Sequence, residues 1–301
     1  MIQTHQQPLP HGISLSCRAT GERGQPVLLF LHGFPEGAFV WDVLLEHFAQ
    51  AQNGGYRCIA PNLRGFEKSS APTDAKAYRP KHLVQDIAAL ITIEAAQQGG
   101  QLAALVAHDW GGAVAWNLVN QMPQLVKKLV IINSPHPGTF LRELQSNPKQ
   151  QAASEYMNFL ITPEAEKLLA QDDFKRLWQF LIKTTTGAQG ANAGSEAAPA
   201  WLTESVKAQY REVWNAGLTG GCNLYRASPL RPPTPGDPAA ASVQLPREML
   251  TITVPTLVIW GLEDAALLPE LVDGLDGYIA DLKLLKVPDA STGSCTKIRN
   301  G

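Results

Sequence analysis

An aspartate, Asp109, stands at a tight turn between a predicted strand and a predicted helix. The strand is the apolar run 102–106, and the helix is residues 113–120, which follow two glycines. Small residues allow such a turn to be sharp, so that it lifts one side chain above a sheet. A carboxylate held there can attack a carbon that carries a leaving oxygen or halide, which forms an alkyl ester. The alternative is a buried or helix-capping aspartate with no chemical role.

The elements around this turn alternate between strand and helix. Residues 27–31 and 128–132 are mostly apolar runs, as is typical of strands covered on both faces of a parallel sheet. Residues 80–98 carry apolar side chains at helical spacing, and two glycines end that segment. The alternation predicts an α/β fold with a mostly parallel sheet flanked by helices. A functional site is then expected beyond the carboxyl ends of the strands.

After residue 135 the pattern becomes helical. The helix-like segments are residues 152–160, 164–170 and 174–182. Two stretches, residues 184–200 and 228–245, are rich in Gly, Ala, Thr or Pro and predict extended loops. We therefore predict an inserted helical cap, residues 136–245, that shields the site from water.

Strand-like runs return near the end of the chain, at residues 256–260 and 282–287. Residues 267–279 between them predict a crossover helix, which Gly274 and Gly277 weaken. The predicted α/β core therefore consists of residues 1–135 and 246–301.

Composition excludes several functions. The formal net charge is −2, and no cluster of basic residues indicates binding to nucleic acid or to an anionic membrane. The apolar runs have the length of strands and the polar start lacks the features of a signal peptide, so a cytoplasmic location is expected. Cys17, Cys58, Cys222 and Cys295 lack the spacing of metal ligands, so we expect free thiols. Neither a metal nor another cofactor is predicted.

Four motifs in this order resemble the α/β-hydrolase superfamily and, within it, the epoxide hydrolases. They are His32-Gly33-Phe34-Pro35-Glu36, His108-Asp109-Trp110-Gly111-Gly112, Asn223-Leu224-Tyr225-Arg226-Ala227 and Gly261-Leu262-Glu263-Asp264. The resemblance covers nearly the whole chain. It implies the α/β-hydrolase fold with a helical cap. The implied activity opens a small apolar epoxide through an ester on an aspartate and releases a vicinal diol.

The resemblance also implies roles for individual residues. Asp109 matches the nucleophile, and the backbone N–H groups of Phe34 and Trp110 match an oxyanion hole. Tyr225 and Tyr156 match two cap tyrosines that hold and protonate the epoxide oxygen. Without the resemblance, each tyrosine is interpreted more simply as a packing residue whose hydroxyl is satisfied.

Further residues complete the implied site. Asp264 matches the acid that orients a catalytic histidine, with Glu263 as the neighbouring alternative and an inert loop carboxylate as another. His32, Pro35 and His108 are implied to line the substrate pocket.

The base of this mechanism is missing from the sequence. The family places a histidine after the orienting acid, where it activates the water that hydrolyses the ester. The seven histidines all precede Asp264: His5, His11, His32, His47, His82, His108 and His136. His136, at the start of the predicted cap, is interpreted as a hydrogen-bonded hinge residue.

The sequence departs from the family after Ser291, as a frameshift, an alternative end or a truncation would leave it. Because the family's closing helix is not recognisable, we expect a bare sheet face that lowers stability or promotes association. We also expect alkylation without efficient hydrolysis.

Three other functions stay open. A haloalkane dehalogenase also uses an aspartate at this turn, with Trp110 as a halide ligand, although Phe34 stands where many such enzymes have Asn. A haloacid dehalogenase usually has Arg after the nucleophile, and Trp110 argues against it. A catalytically silent relative would bind a small apolar ligand or a protein partner.

Overall fold

The computed structural model describes residues 1–192 and 199–290. The strands are β1 (Gln3–Pro8), β2 (Ser14–Thr20), β3 (Val27–Leu31), β4 (Arg57–Pro61), β5 (Ala104–His108), β6 (Leu129–Ile132), β7 (Thr256–Gly261) and β8 (Leu282–Val287). They form one sheet with the order β1-β2-β4-β3-β5-β6-β7-β8. The pairs β1/β2 and β2/β4 are antiparallel, and the other neighbours are parallel. The predicted α/β fold with a mostly parallel sheet is confirmed.

In the described residues, α-helices lie between successive parallel strands from β3 to β7. They are α1 (Asp42–Ala49), α2 (Pro80–Glu94), α3 (Asp109–Gln121), α4 (Pro137–Ser146), α5 (Pro148–Ala153), α6 (Tyr156–Leu160), α7 (Ala165–Asn192), α8 (Glu204–Asn215) and α9 (Thr219–Ala227). α2 starts with Pro80, whose fixed φ suits a first helical position, and it buries Leu83, Ile87 and Leu90 along one face. Helices α4 to α9 lie between β6 and β7 in the chain.

Parallel pairing brings the ends of the central strands together. Leu31 pairs with Ala107 across β3 and β5, and His108 pairs with Ile132 across β5 and β6. The residues that follow these strands therefore lie side by side at one edge of the sheet. The start of α3 and the loop after β3 meet at this edge.

The two faces of the sheet are covered unequally. On one face, α2, α3 and the later helices enclose a large apolar core. In the described ranges, the helical residues of the apolar cluster on the other face all come from 38–49. Val106, Val130 and Ile259 on that face are only partly buried, and Leu285 of β8 is 50% exposed. The expected bare face and association through it both stay predictions.

Two helical segments predicted for the cap belong to one helix. α7 contains all of the predicted segment 174–182 and all of the predicted segment 164–170 except residue 164. At their junction, Asp172, Asp173 and Phe174 have φ of 52°, 51° and 60°, which is the left-handed region. The prediction of a loop at 184–200 is wrong for residues 184–192, which belong to α7. A helix extends easily once formed, because each further residue that it fixes adds one hydrogen bond. Residues 193–198 of that predicted loop lie outside the described residues.

The predicted crossover helix at 267–279 is also wrong. The structure has two short 3₁₀ turns there, Pro269–Val272 and Leu275–Gly277. Gly274 between them has a φ of 77°, which a right-handed helix does not allow. The polar start of the chain forms β1, which was not predicted, because its pairing with β2 lies at the sheet edge and needs no apolar pattern.

Candidate active site

The turn at Asp109 is sharp and tightly packed. Asp109 follows β5 directly and has a φ of 49°, a conformation that costs a non-glycine residue about 1 kcal/mol or more. Its carbonyl oxygen accepts a hydrogen bond from Ser134 Oγ at 2.6 Å. A Cβ on Gly111 would come within 2.5 Å of the Leu31 carbonyl oxygen, and one on Gly33 would collide with the Asp109 side chain. The turn therefore holds its tip residue in a single strained position.

Two main-chain N–H groups point at the Asp109 carboxylate. Phe34 N donates to Asp109 Oδ1 at 2.7 Å, and the N–H of Trp110 also donates to this carboxylate. Burial raises the pKa of Asp109, while His108 and the two N–H groups act in the opposite direction. The loop that carries Phe34, residues 33–37, is called the oxyanion loop below, after the role that the sequence resemblance implies for it.

Two cap tyrosines stand next to the same aromatic residues. The ring centroid of Tyr225 lies 5.5 Å from that of Phe34, 5.0 Å from that of Trp110 and 6.0 Å from that of Tyr156. The hydroxyl of Tyr225 accepts from the Trp110 indole and is hydrogen-bonded to Tyr156. Burial, with a contribution from Asp109, raises the pKa of both tyrosines above the usual value. Both are therefore protonated phenols at neutral pH.

Asp264 occupies a different environment beyond β7. Its Oδ2 accepts from Asn133 Nδ2 at 2.8 Å, and its Oδ1 accepts from the N–H groups of Ala266 and Leu267 at 2.9 Å each. Asn133 in turn accepts from Gly261 N at 2.9 Å. Burial raises the pKa of Asp264 to about 6 despite these donors. Among the described residues no histidine hydrogen-bonds this carboxylate.

His32 and Pro35, implied to line the pocket, are both buried in the oxyanion-loop region. The Nδ1 of His32 donates to the Gly33 carbonyl at 2.9 Å, and its Nε2 accepts from Leu63 N at 3.0 Å. Burial lowers the pKa of His32 to about 4, so its ring is neutral. Pro35 follows a cis peptide bond, and its carbonyl accepts from Trp214 Nε1 at 2.7 Å. Both residues brace the loop from within.

His108, which directly precedes Asp109, forms a buried pair with Glu36. Its Nδ1 lies 3.0 Å from Glu36 Oε2, and both side chains are almost fully buried. Burial lowers the pKa of His108, but Glu36, Asp109 and Asp264 together raise it above the ordinary value. Its Nε2 has no hydrogen-bond partner among the described residues. The pair links the oxyanion loop to the end of β5.

His136 is buried and hydrogen-bonded at the start of α4, and its predicted hinge role stays a prediction. Its Nδ1 accepts from Gly138 N at 3.2 Å at the start of α4, and its Nε2 donates to the Leu250 carbonyl at 2.9 Å. Burial lowers its pKa to about 4. The neutral ring therefore ties the first helix after β6 to the segment before β7.

Sequence reasoning missed the partners that hold the site in place. Ser134 and Asn133, directly after β6, support Asp109 and Asp264. They carry a recognisable signal, since polar residues at a strand's carboxyl end lie at the expected site edge. The bond from Trp214 to Pro35 joins residues 179 positions apart, and no local pattern marks it.

The described residues contain neither a metal-binding group nor a membrane-spanning helix. In these residues, no group of three or more His, Cys, Asp or Glu side chains could hold a metal ion. None of the described helices is long and apolar enough to cross a membrane. Cys17, Cys58 and Cys222 are free and buried, and Cys295 lies outside the described residues.

Comparisons with known proteins agree with one another. Residues 26–291 match the family model described as alpha/beta hydrolase fold. The chain is 32% identical to the AB hydrolase superfamily protein YfhM of Bacillus subtilis, over 93% of this chain and 88% of that protein. It is 31% identical to epoxide hydrolase 4 of Mus musculus, over 89% and 68%. The crystal structure of a Bacillus megaterium epoxide hydrolase with an inhibitor matches with a TM-score of 0.81 and 28% identity, over 98% and 96%.

Proposed function

The chain belongs to the α/β-hydrolase fold family, and from this premise we propose that it opens epoxides by alkylation of Asp109. The observation that carries the proposal is the position of Asp109 among two main-chain donors and two cap tyrosines. Relatives named epoxide hydrolase support this substrate class. The surrounding rings of Phe34, Trp110 and Tyr225 favour a small apolar epoxide.

In the proposed first step, a carboxylate oxygen of Asp109 attacks a ring carbon of the epoxide. The new C–O bond forms while the ring C–O bond breaks, and the ring oxygen keeps the bonding electrons. Phe34 N–H and the Ser134 hydroxyl hold the attacking residue in place. Holding the two reactants together in this way removes much of the entropic barrier.

The cap tyrosines supply the proton that the ring oxygen needs. An alkoxide is strongly basic, so its departure requires a hydrogen-bond donor or a general acid. Tyr225 and Tyr156 are hydrogen-bonded to each other, and one of the two phenols passes its proton to the ring oxygen. The product is a 2-hydroxyalkyl ester of Asp109, and water later returns the proton to the phenolate.

Release of a vicinal diol requires hydrolysis of that ester. Water adds to the ester carbonyl, and the N–H groups of Phe34 and Trp110 are placed to stabilise the resulting oxyanion. The water must lose a proton to a base, yet all seven histidines precede Asp264 in the sequence. Both oxygens of Asp264 already accept from amide groups. We therefore propose that alkylation outpaces hydrolysis and that the ester accumulates.

Residues 136–245 act as the cap in this proposal. They carry Tyr156 and Tyr225, and α9 lies close to the oxyanion loop, where a Cβ on Gly221 would meet the Phe34 ring at 2.6 Å. The cap encloses the reacting atoms in a site of low dielectric, where the hydrogen bonds to Asp109 are stronger than in water.

Epoxide opening fits the site better than halide displacement. A halide site would use the indole N–H of Trp110, but that N–H donates to Tyr225. The donor is thus committed to the tyrosine pair that an epoxide needs. Haloalkane dehalogenation therefore has weaker support from the geometry.

Incubation with styrene oxide tests the proposed function. Intact-mass spectrometry should show one styrene oxide added per chain, with little free diol by chromatography. A parallel incubation with a bromoalkane should release no bromide beyond the buffer control. Bromide release without any styrene oxide adduct would contradict epoxide opening. Continuous diol formation without an adduct would contradict accumulation of the ester.

A further inference from the structure

Trp214 of α8 reaches from the cap to the oxyanion loop. The residue is 2% exposed, and its indole Nε1–H donates to the Pro35 carbonyl at 2.7 Å. Pro35 directly follows Phe34, whose N–H donates to Asp109. A buried polar group that loses its partner is costly, so this N–H and this carbonyl hold each other in place.

Packing on both sides fixes the direction of the indole. Its ring centroid lies 4.3 Å from that of Trp178 and 5.3 Å from that of Phe174, both in α7. Its neighbour Val213 lies against the end of the oxyanion loop, where a Cβ on Gly37 would approach Val213 Cγ2 to 2.7 Å. α8 is therefore fitted to the loop by shape as well as by the hydrogen bond.

The core holds the loop at other points. Glu36 pairs with His108, and His32 accepts from Leu63 N just before the loop begins. These contacts come from β5 and from the segment directly after β4. The Pro35 carbonyl is where a hydrogen bond from the cap reaches the loop.

We infer that Trp214 is a positioning residue for the oxyanion loop: by holding the Pro35 carbonyl, it aims the Phe34 N–H at the Asp109 carboxylate. The inference rests on the proposed function where alkylation is the readout. If Trp214 has this role, the geometry for alkylation depends on contact between the cap and the core. A loosened Phe34 N–H should also raise the pKa of Asp109 further, because that bond favours the carboxylate form.

The chain offers a matched pair of variants. Trp214→Phe and Trp178→Phe each remove one indole from the same aromatic cluster, but the Trp178 Nε1–H donates to the Asp173 carbonyl inside the cap. Trp214→Phe should slow the maximal alkylation rate by styrene oxide about tenfold, the loss expected for one well-placed hydrogen bond. The styrene oxide concentration for half-maximal rate should stay within about twofold, since uniform binding is unchanged. Trp178→Phe keeps an aromatic ring against Trp214 and leaves the bond from Trp214 to Pro35 in place, so its rate should fall by clearly less than that of Trp214→Phe.

Two further measurements separate positioning from general destabilisation. The acid limb of the alkylation rate should move to higher pH in Trp214→Phe and stay in place in Trp178→Phe. Amide hydrogen exchange of a peptide covering residues 33–37, measured without epoxide, should quicken in Trp214→Phe alone. If the wild type is not alkylated, the proposed function fails and the exchange comparison alone decides the role of Trp214. Equal exchange in the two variants, or equal alkylation rates, would overturn the positioning role.

Discussion

Asp109 and Asp264 are both carboxylates that follow parallel strands of one sheet, and burial raises the pKa of each. The two carboxylates differ in the groups that surround them. Asp109 accepts from the Phe34 N–H, and its charge raises the pKa of the neighbouring phenols of Tyr156 and Tyr225. Asp264 accepts from Asn133 and from two main-chain N–H groups that cannot give up a proton.

In the proposed mechanism, burial alone does not make a carboxylate reactive. We propose that reactivity also needs proton donors near the substrate and a strained backbone position, and of these two carboxylates only Asp109 combines a φ of 49° with the tyrosine pair. The proposal therefore places the alkylation at Asp109. Asp264 is hydrogen-bonded to Asn133, Ala266 and Leu267, and to no histidine among the described residues.

Removing both tyrosine hydroxyls should produce the largest effect. Tyr156→Phe combined with Tyr225→Phe should slow alkylation by styrene oxide about 10²-fold to 10⁴-fold, because the leaving oxygen loses its general acid. Adduct formation followed by intact-mass spectrometry gives the rate. Tyr278→Phe is the matched control, since that ring stacks on His136 at 4.7 Å, away from the tyrosine pair. A double variant within threefold of wild type would remove the tyrosines from the mechanism.

The pH dependence of alkylation should show an effect of intermediate size, and it tests the ionisation of Asp109. Asp109 must be ionised to attack, and burial raises its pKa above the ordinary value of about 4. The rate should therefore fall on acidification at a higher pH than for an ordinary aspartate. On the alkaline side, the raised pKa values of Tyr156 and Tyr225 should keep the rate constant up to at least about pH 10. Alkylation rates measured from pH 4 to pH 10 check both the acidic and the alkaline side of this dependence. Circular dichroism at each pH shows whether the protein stays folded.

Neutralising Asp264 should have the smallest effect on alkylation. Asp264→Asn should alkylate within about twofold of wild type, because the Asp109 region makes the bond. Its melting temperature should drop, since a new amide N–H₂ would face the Asn133 donor and leave a buried group unsatisfied. A tenfold loss of alkylation with an unchanged melting temperature would show that the two regions act together in the first step.

The sequence predicted the parts of the site that the backbone itself demands. Gly33 and Gly111 leave no space for a side chain, so the motif around Asp109 encodes its own turn. Apolar runs of strand length likewise predicted β3, β5 and β6, which place the site edge. Position in the chain was enough to predict that His136 is hydrogen-bonded.

Other features depend on partners far away in the sequence. The bond between Trp214 and Pro35, and the support of Asp264 by Asn133, join residues 179 and 131 positions apart. Tertiary context of this kind has no local signature. The same limit explains the wrong crossover helix, where apolar side chains pack from two short turns around Gly274.

The most direct measurement of the central claim is the site of alkylation. Wild-type protein and an Asp109→Asn variant are incubated with styrene oxide, digested with a protease and mapped by tandem mass spectrometry. The wild type should carry one styrene oxide ester on Asp109, and the variant should carry none at residue 109. An unmodified Asp109 peptide in the wild type, with no diol formed, would contradict the account.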